Sequence, residues 1–475
     1  MTGGREPSLT RAMWVWASPA ARQMLGDMAA WPGFFDFCDA PHGNASARIS
    51  TLYLEPPDSL DEQALRAFLT AAHARGLKVE FLYGDRDWQA EHLARAKEVC
   101  AARIDAAGTG SQAEASFDGI HLDLESQAKW SQKAFRELLV FLRARIDRHN
   151  ESRSHRMTLA ADLGFWWSEG GDDSRPQFPE ALKQCDYIVT MAYRDTAGAQ
   201  ASCVVPQAMA AAKQRKPLFI GAETQWLANQ DFATYYEEGW EQMERELAKL
   251  PELVAGHGGK LAGVAIHHYD SYLKLRRERR TSPFSDVRMD HWAVHSILAV
   301  RQAGILLGYA DGRYAPDEVV TREQMAVFAM HALLGRENVP DGPPTPSFPD
   351  VAPDYWAYRW IECAKAKGVA LGCGDGLFHP QDPLNRGQMA AFIARAIVTP
   401  TGEEGLASCA PPDRPTFADV TPEGEWSWCY RHVECIAGRG IANADPSGLF
   451  HPEGGCTRDQ IAVCIAKAFE LEVEV

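Results

Sequence analysis

The 475-residue chain contains no apolar run approaching the roughly 20 residues that a helix needs to cross a bilayer, so no transmembrane segment is expected. It also lacks a basic excess. With 48 Lys and Arg against 64 Asp and Glu, the net charge of −16 argues against nucleic acid as a partner. The opening Met1-Thr-Gly-Gly-Arg-Glu-Pro-Ser-Leu-Thr has neither the basic start nor the apolar stretch of a secretory signal, so no signal peptide is visible. No Cys-x-x-Cys pair occurs among the eleven cysteines, which argues against a zinc site. What is present, 46% hydrophobic and 24% charged residues, suits a soluble globular chain of about two to four domains.

The cysteines are unevenly spread. Cys363, Cys373, Cys409, Cys429, Cys435, Cys456 and Cys464 all fall in the last 113 residues, which favours an oxidising compartment and disulfides in that segment. Cys363, Cys435 and Cys464 lie in apolar helical patterns and can equally be small buried residues. The same segment is a repeat. Phe284-Ser-Asp-Val, Phe348-Pro-Asp-Val and Phe417-Ala-Asp-Val precede Trp292, Trp356 and Trp428, and a glycine follows each tryptophan by twelve residues, at Gly304, Gly368 and Gly440. Turns at Asp311-Gly, Asp375-Gly and Ser447-Gly then lead to Thr321-Arg-Glu-Gln, Asn385-Arg-Gly-Gln and Thr457-Arg-Asp-Gln. The tryptophans and the Thr/Asn positions share the intervals 64 and 72, which fixes the register. Each unit reads as a helix, a glycine-ended loop and a second helix capped by Thr or Asn, and three such units together can share a core that none has alone.

These motifs resemble the S-layer homology repeat. The resemblance implies noncovalent attachment to a cell-envelope polymer through the arginine of Thr-Arg-x-x and nearby aromatics, here Arg322, Arg386, Arg458, Trp292 and Trp356. A guanidinium fork suits a carboxylate or ketal group; the alternative is that these arginines only cap helices and pair with Asp286, Asp350 and Asp419. Repeat two departs from the pattern at Asn385 and Gly387. Repeat three departs by a three-residue insertion before Trp428 and by the missing Gly-Tyr step.

The first 280 residues alternate short apolar runs (12–16, 50–54, 79–83, 119–124, 157–162, 187–193, 218–223 and 263–268) with helical periods such as 62–75, 88–106, 133–148 and 235–249. Eight strands in that order predict an α/β fold, a closed parallel (β/α)8 TIM-type barrel, followed by the mostly α repeat module. The expected boundaries are a tail over 1–11, the barrel over 12–275, a charged linker over 276–283, and repeats over 284–336, 348–398 and 417–471. Strand ends carrying Trp16, Glu55, Asp85, Glu125, Asp162, Tyr193, Glu223 and His267 should converge on one mouth. On the fourth strand, period two sets His121, Asp123 and Glu125 on one face and Ile120, Leu122 and Leu124 on the other.

That strand resembles the family 18 glycoside hydrolase signature Asp-Gly-x-Asp-x-Asp-x-Glu at Asp118, Gly119, Asp123 and Glu125, and Met191-Ala-Tyr193 resembles the family's Met-x-Tyr. The resemblance implies retaining, substrate-assisted hydrolysis of an N-acetylhexosamine polymer such as chitin or peptidoglycan glycan, with no cofactor. Glu125 would be the general acid. Asp123 would orient the acetamido group and raise the pKa of Glu125, and Tyr193 would donate a hydrogen bond to the attacking carbonyl. Asp118, Trp16, Met191, Glu223, His267 and Trp226 are the candidate substrate contacts, with Trp14, Trp166 and Trp167 as further aromatic surface. His121 stands where the family has an acid, His267 and His268 where it has tryptophan, and Arg194 where it has Asp. His121 can serve as a proton partner for Asp123. Two other readings stay open: a carbohydrate-binding barrel without turnover, and a metal-dependent hydrolase using His121, Asp123, Glu125, Asp162, Glu223, His267 and His268. The resemblance of the repeats to S-layer homology implies a location at the extracellular cell surface.

Overall fold

The computed structural model describes residues 9–107, 115–124, 129–152, 155–166, 178–445 and 447–471. Contacts divide the chain into two compact units, Met1–Arg280 and Thr281–Val475. Among the described residues, no helix is long and apolar enough to cross a membrane.

The first unit is a closed barrel of eight parallel strands in sequence order: β1 Thr10–Val15, β2 Thr51–Leu54, β3 Lys78–Asp85, β4 Gly119–Leu124, β5 Thr158–Gly164, β6 Tyr187–Met191, β7 Leu218–Glu223 and β8 Gly263–His267. The last strand pairs back onto the first, with Ala12 opposite Ala265. Period two sorts every strand. On β4, Ile120 and Leu122 are fully buried in the shell between strands and helices, each contributing roughly 1.5–3 kcal/mol by leaving water. Ala12, Trp14, Tyr53, Leu82, Val189 and Ala265 instead fill the barrel interior.

The surrounding helices follow their own period. Asp61 caps Glu62–Ala74 by accepting from the Ala64 amide, and Leu65, Phe68, Leu69 and Ala72 make the buried stripe. The helix expected over 235–249 begins only at Trp240, because Gly239 at its N-cap has φ +80, a left-handed conformation that ends the preceding turn. The 88–106 period opens with a 3₁₀ turn at Ala90–His92, and the α-helix runs from Leu93 to Ala106.

The second unit contains three helix pairs: Val294–Gln302 with Arg322–Leu334, Tyr358–Ala366 with Arg386–Ile397, and Ser427–Ala437 with Arg458–Ala468. The recurring sequence has a local cause at each step. Gln324, Gln388 and Gln460 complete capping boxes, each side-chain oxygen accepting from the amide of Thr321, Asn385 or Thr457 at 3.1–3.3 Å. Asn385 therefore replaces Thr without loss of the cap, its own oxygen accepting from Gln388 N at 2.8 Å. The aspartate of Phe-x-Asp-Val accepts two successive amides: Asp286 from Tyr314 and Ala315, Asp350 from Phe378 and His379, Asp419 from Phe450 and His451. The second residue of each pair has φ between +54 and +57, so the carboxylate pins a left-handed residue that would otherwise be strained.

The three repeats close on themselves. Val320 N donates to Cys456 O, Cys456 N to Leu384 O and Leu384 N back to Val320 O, at 2.8–3.0 Å. One disulfide, Cys409–Cys435, lies in this unit. Cys363 and Cys464 are free and buried, as their apolar patterns suggested, whereas Cys435 is bonded.

Candidate functional sites

Below the barrel mouth the interior holds a buried ionic floor. His121 is fully buried, with Nδ1 3.3 Å from Glu80 Oε2 and Nε2 2.8 Å from Asp162 Oδ1. Glu80 also accepts from Thr158 Oγ1 and Tyr187 Oη, both at 2.6 Å, and Asp162 accepts from Trp14 Nε1 at 2.9 Å. The Tyr53 ring stacks on the imidazole at 3.6 Å between centroids. Burial alone would lower the pKa of His121, but pairing with Asp162 and then Glu80 outweighs it and pushes the value up to about 9. The ring is an imidazolium with both N–H groups committed. No ring nitrogen is left to exchange a proton with Asp123, the role expected of His121 from sequence.

Above this floor a cavity of about 480 Å³ opens at the C-terminal strand ends, lined by Trp16, Glu55, Asp85, Asp123 and His267 among others. Asp123 is 4% exposed and is the acid that β4 presents to the cavity. Trp16 lies across β3 because residue 84 is glycine: a Cβ there would meet the indole at 2.5 Å. Glu223 Oε1 accepts from the Thr224 and Gln225 amides, and its Oε2 lies 2.8 Å from His267 Nδ1. Trp16 Nε1 donates to His267 Nε2 at 3.1 Å, which requires a lone pair there. In this geometry His267 is a neutral imidazole with its proton on Nδ1. Burial opposes its charging, yet Glu223, with Asp123 and Asp162 behind it, raises its pKa above the usual value. His268 is lowered by burial and by His267.

The other expected residues divide as follows. Tyr193 is half-buried, its ring centroid 5.9 Å from that of His267. Met191 ends β6 in the inward phase of Val189, half-buried, and does not line the cavity. Trp226 is half-buried in the loop after β7 and also lies off the cavity wall. Trp14 belongs to the floor, and Trp166 is 51% exposed beyond β5. Asp118 is at the wrong end for substrate: it precedes β4, accepts from Val79 N at 2.7 Å and sits 2.9 Å from His73 Nε2, which ties a helix to the N-terminal rim. Glu125 and Trp167 lie outside the described residues. Among the described residues, no group of three or more His, Cys, Asp and Glu side chains could hold a metal ion. Glu80 was missed from sequence, although an acid inside the apolar run of β3 was the signal for a buried partner.

In the second unit each repeat arginine reaches into the next repeat. Arg322 Nε donates to Phe378 O, Arg386 Nε to Phe450 O and Arg458 Nε to Tyr314 O, at 2.7–2.8 Å. The guanidinium carbons stand 4.7–5.0 Å from the same three rings. The expected alternative pairing with Asp286, Asp350 and Asp419 does not occur, because those carboxylates are spent on turn amides. Arg322 opens on a cavity of about 280 Å³ that Trp428 also lines. Trp428 was not among the tryptophans chosen from sequence. Trp292 and Trp356 are 42% and 54% exposed, and Trp292 Nε1 donates to Asp459 Oδ2 at 2.8 Å.

The chain is thus a (β/α)8 barrel with an acid-lined mouth, joined to a three-repeat helical module. The module consists of S-layer homology domains, which match residues 283–326, 347–390 and 417–462. Among curated relatives, the chain is 28% identical over 201 residues to the amylopullulanase of Thermoanaerobacterium thermosulfurigenes, covering 42% of this chain and 10% of that protein. It is 32% identical over 154 residues to cell surface glycoprotein 1 of Acetivibrio thermocellus, covering 31% of this chain and 6% of that one. The chain therefore spans a tenth or less of the length of these two relatives. Among solved structures, a GH18 chitinase from Pseudoalteromonas aurantia is similar over 56% of this chain and 97% of its own, at 12% identity and a TM-score of 0.38. That likeness concerns the fold alone.

Proposed function

We propose that this chain is a glycoside hydrolase held at the extracellular cell surface by its S-layer homology domains, acting on an N-acetylhexosamine polymer such as chitin or peptidoglycan glycan. The observation that carries the reading is Asp123, presented by β4 to the mouth cavity beside the Trp16 ring. Two residues on, the sequence has Glu125. Glu125 protonates the leaving glycosidic oxygen while Asp123 orients the substrate acetamido group, whose oxygen attacks the anomeric carbon; Tyr193 donates to that group, and water then opens the intermediate with retention. Trp16 offers the sugar an apolar face, and His267, fixed by Glu223, offers a polar edge. Arg322, Arg386 and Arg458 grip anionic groups of the envelope polymer, flanked by the exposed Trp292 and Trp356.

A second reading, a sugar-binding barrel without turnover, is favoured by one observation: His121 stands in place of an acid and is locked between Glu80 and Asp162. Reducing-end release from chitin oligosaccharides and peptidoglycan, run beside Glu125→Gln and Asp123→Asn, separates the two. Hydrolysis that falls by about 10²–10⁴-fold in Glu125→Gln supports the enzyme. Binding to a glycan with no release by the wild type favours the second reading. Anchoring is checked separately: the full chain should pellet with isolated cell walls, and Arg322→Ala with Arg386→Ala should weaken that.

A further inference from the structure

Where one repeat packs on the next, two equivalent positions recur in three versions. His331, Arg395 and Lys467 share one register, and Ser296, Trp360 and His432 share another, at the same intervals of 64 and 72. Between repeats one and two, helix Arg322–Leu334 meets helix Tyr358–Ala366, and there the buried His331 has both ring nitrogens in use. Its Nδ1 donates to Ile305 O at 3.3 Å, so Nε2 carries the lone pair that accepts from Trp360 Nε1 at 3.0 Å. The Trp360 ring also lies 5.3 Å from the Arg359 guanidinium and 6.2 Å from the exposed Trp356 ring. The other two seams are built differently. Arg395 is paired with Glu403, and His432 Nε2 lies 3.0 Å from the same carboxylate, so a proton arriving there meets an acceptor. Lys467 donates to Gly440 O. Of the three, the first seam alone sets an imidazole lone pair against an indole N–H, a group that donates and never accepts.

The charges around His331 do not welcome a proton. Arg336 and Glu337 act on it from the turn after its helix and Arg359 from repeat two. Other charged groups on the neighbouring helices are engaged elsewhere: Glu323 with Tyr355, Arg301 over Phe284, Glu362 with Ser347, Lys365 over Phe348, Arg386 with Phe450 O and Arg395 with Glu403. Burial lowers the pKa of His331, the bond to Ile305 O opposes that, and the two arginines lower it again against Glu337, leaving it below the usual value.

We propose that His331 is an acid-sensitive latch between repeats one and two, whose protonation expels the Trp360 indole, loosens the seam and so releases the module from its polymer in acid. A proton added to Nε2 puts two N–H donors head to head, and the indole has to move. Trp360 then no longer backs Trp356. The folded chain takes up this proton less readily than the unfolded one, so the stability due to neutral His331 is complete above pH ~6.5 and is lost progressively as pH falls below it. Release from the polymer rests on the anchoring reading above, but the latch does not.

The full chain, with its tryptophans labelled at the indole nitrogen, is titrated from pH 7.5 to 4.5 by NMR, and the Trp360 signal is assigned with Trp360→Phe. That N–H signal should shift with a midpoint below 6.5. In His331→Gln, whose amide oxygen accepts the same bond at every pH, it should stay in place. Calorimetry should show the repeat-module transition of the wild type falling in acid by about 2–4 °C more than that of His331→Gln, the loss of one hydrogen bond from a domain of this size. A Trp360 signal that does not move in the wild type, or one that moves equally in His331→Gln, would overturn the latch. The wild-type titration stands even if the glutamine variant fails to fold. Pelleting with isolated cell walls separates the two claims: wild type released at pH 4.5 while His331→Gln stays bound supports release, and equal binding of both at pH 4.5 refutes it. If neither protein pellets at pH 7.5, the anchoring reading fails and the Trp360 signal still decides the latch.

Discussion

Replacing His121 with leucine removes the one cation between two buried carboxylates, Glu80 and Asp162, each 2% exposed. Breaking a buried pair from one side typically costs about 3–5 kcal/mol. Glu80 keeps the hydroxyls of Thr158 and Tyr187 and Asp162 keeps the Trp14 indole, so the loss belongs at the lower end of that range. At about 3 kcal/mol, and roughly 2–4 °C per kcal/mol for a large domain, the barrel transition should fall by about 6–12 °C near neutral pH. Calorimetry on the full chain is suited to this, since two units can melt separately.

The pH dependence sharpens the test. The folded-state pKa of His121 is raised from 6.5 to about 9, so between those values the folded chain binds more proton than the unfolded one and stability falls as pH rises. The contribution, up to about 3 kcal/mol, is complete below pH ~6.5 and is lost as pH climbs through ~9. The gap between wild type and His121→Leu should therefore narrow steadily from pH 6.5 to 9. A variant melting within about 2 °C of wild type at pH 6.5, or a gap that does not change with pH, would refute the reading of His121 as a buried imidazolium.

Two further perturbations follow the same logic. Glu223→Gln removes the carboxylate that raises the pKa of His267, so the titration midpoint of that imidazole in NMR should fall; an unchanged midpoint would mean that Glu223 does not set it. Asp350→Ala frees the Phe378 and His379 amides and leaves His379 unsupported at φ +54, so the repeat-module transition should lose about 2–4 kcal/mol while the barrel transition stays put; loss of less than about 0.5 kcal/mol would show that the turn holds without its carboxylate.

Sequence revealed most where a period or an interval carried the information. Alternation along β4 assigned Ile120 and Leu122 to the shell and Asp123 to the mouth, and that needed no knowledge of neighbouring strands. The 64 and 72 intervals fixed three equivalent units before any contact was known. Facts about partners across space were harder to reach. His121 meets Glu80 and Asp162, each 41 positions away, because the stagger of β3, β4 and β5 sets three inward side chains side by side. Arg322 reaches Phe378 in the next repeat, and Arg458 returns to Tyr314 in the first, so the direction of each arginine depends on ring closure that no single repeat encodes. Asp118 shows the converse error. Its motif position suggested the site, but parallel strands run toward the mouth, so a residue before β4 has to sit at the opposite rim. Strand direction alone was enough to exclude it. The same reasoning places Asp123, in the inward phase near the C-terminal end of β4, at the mouth, which is why Asp123, and not Asp118, is the residue to substitute first.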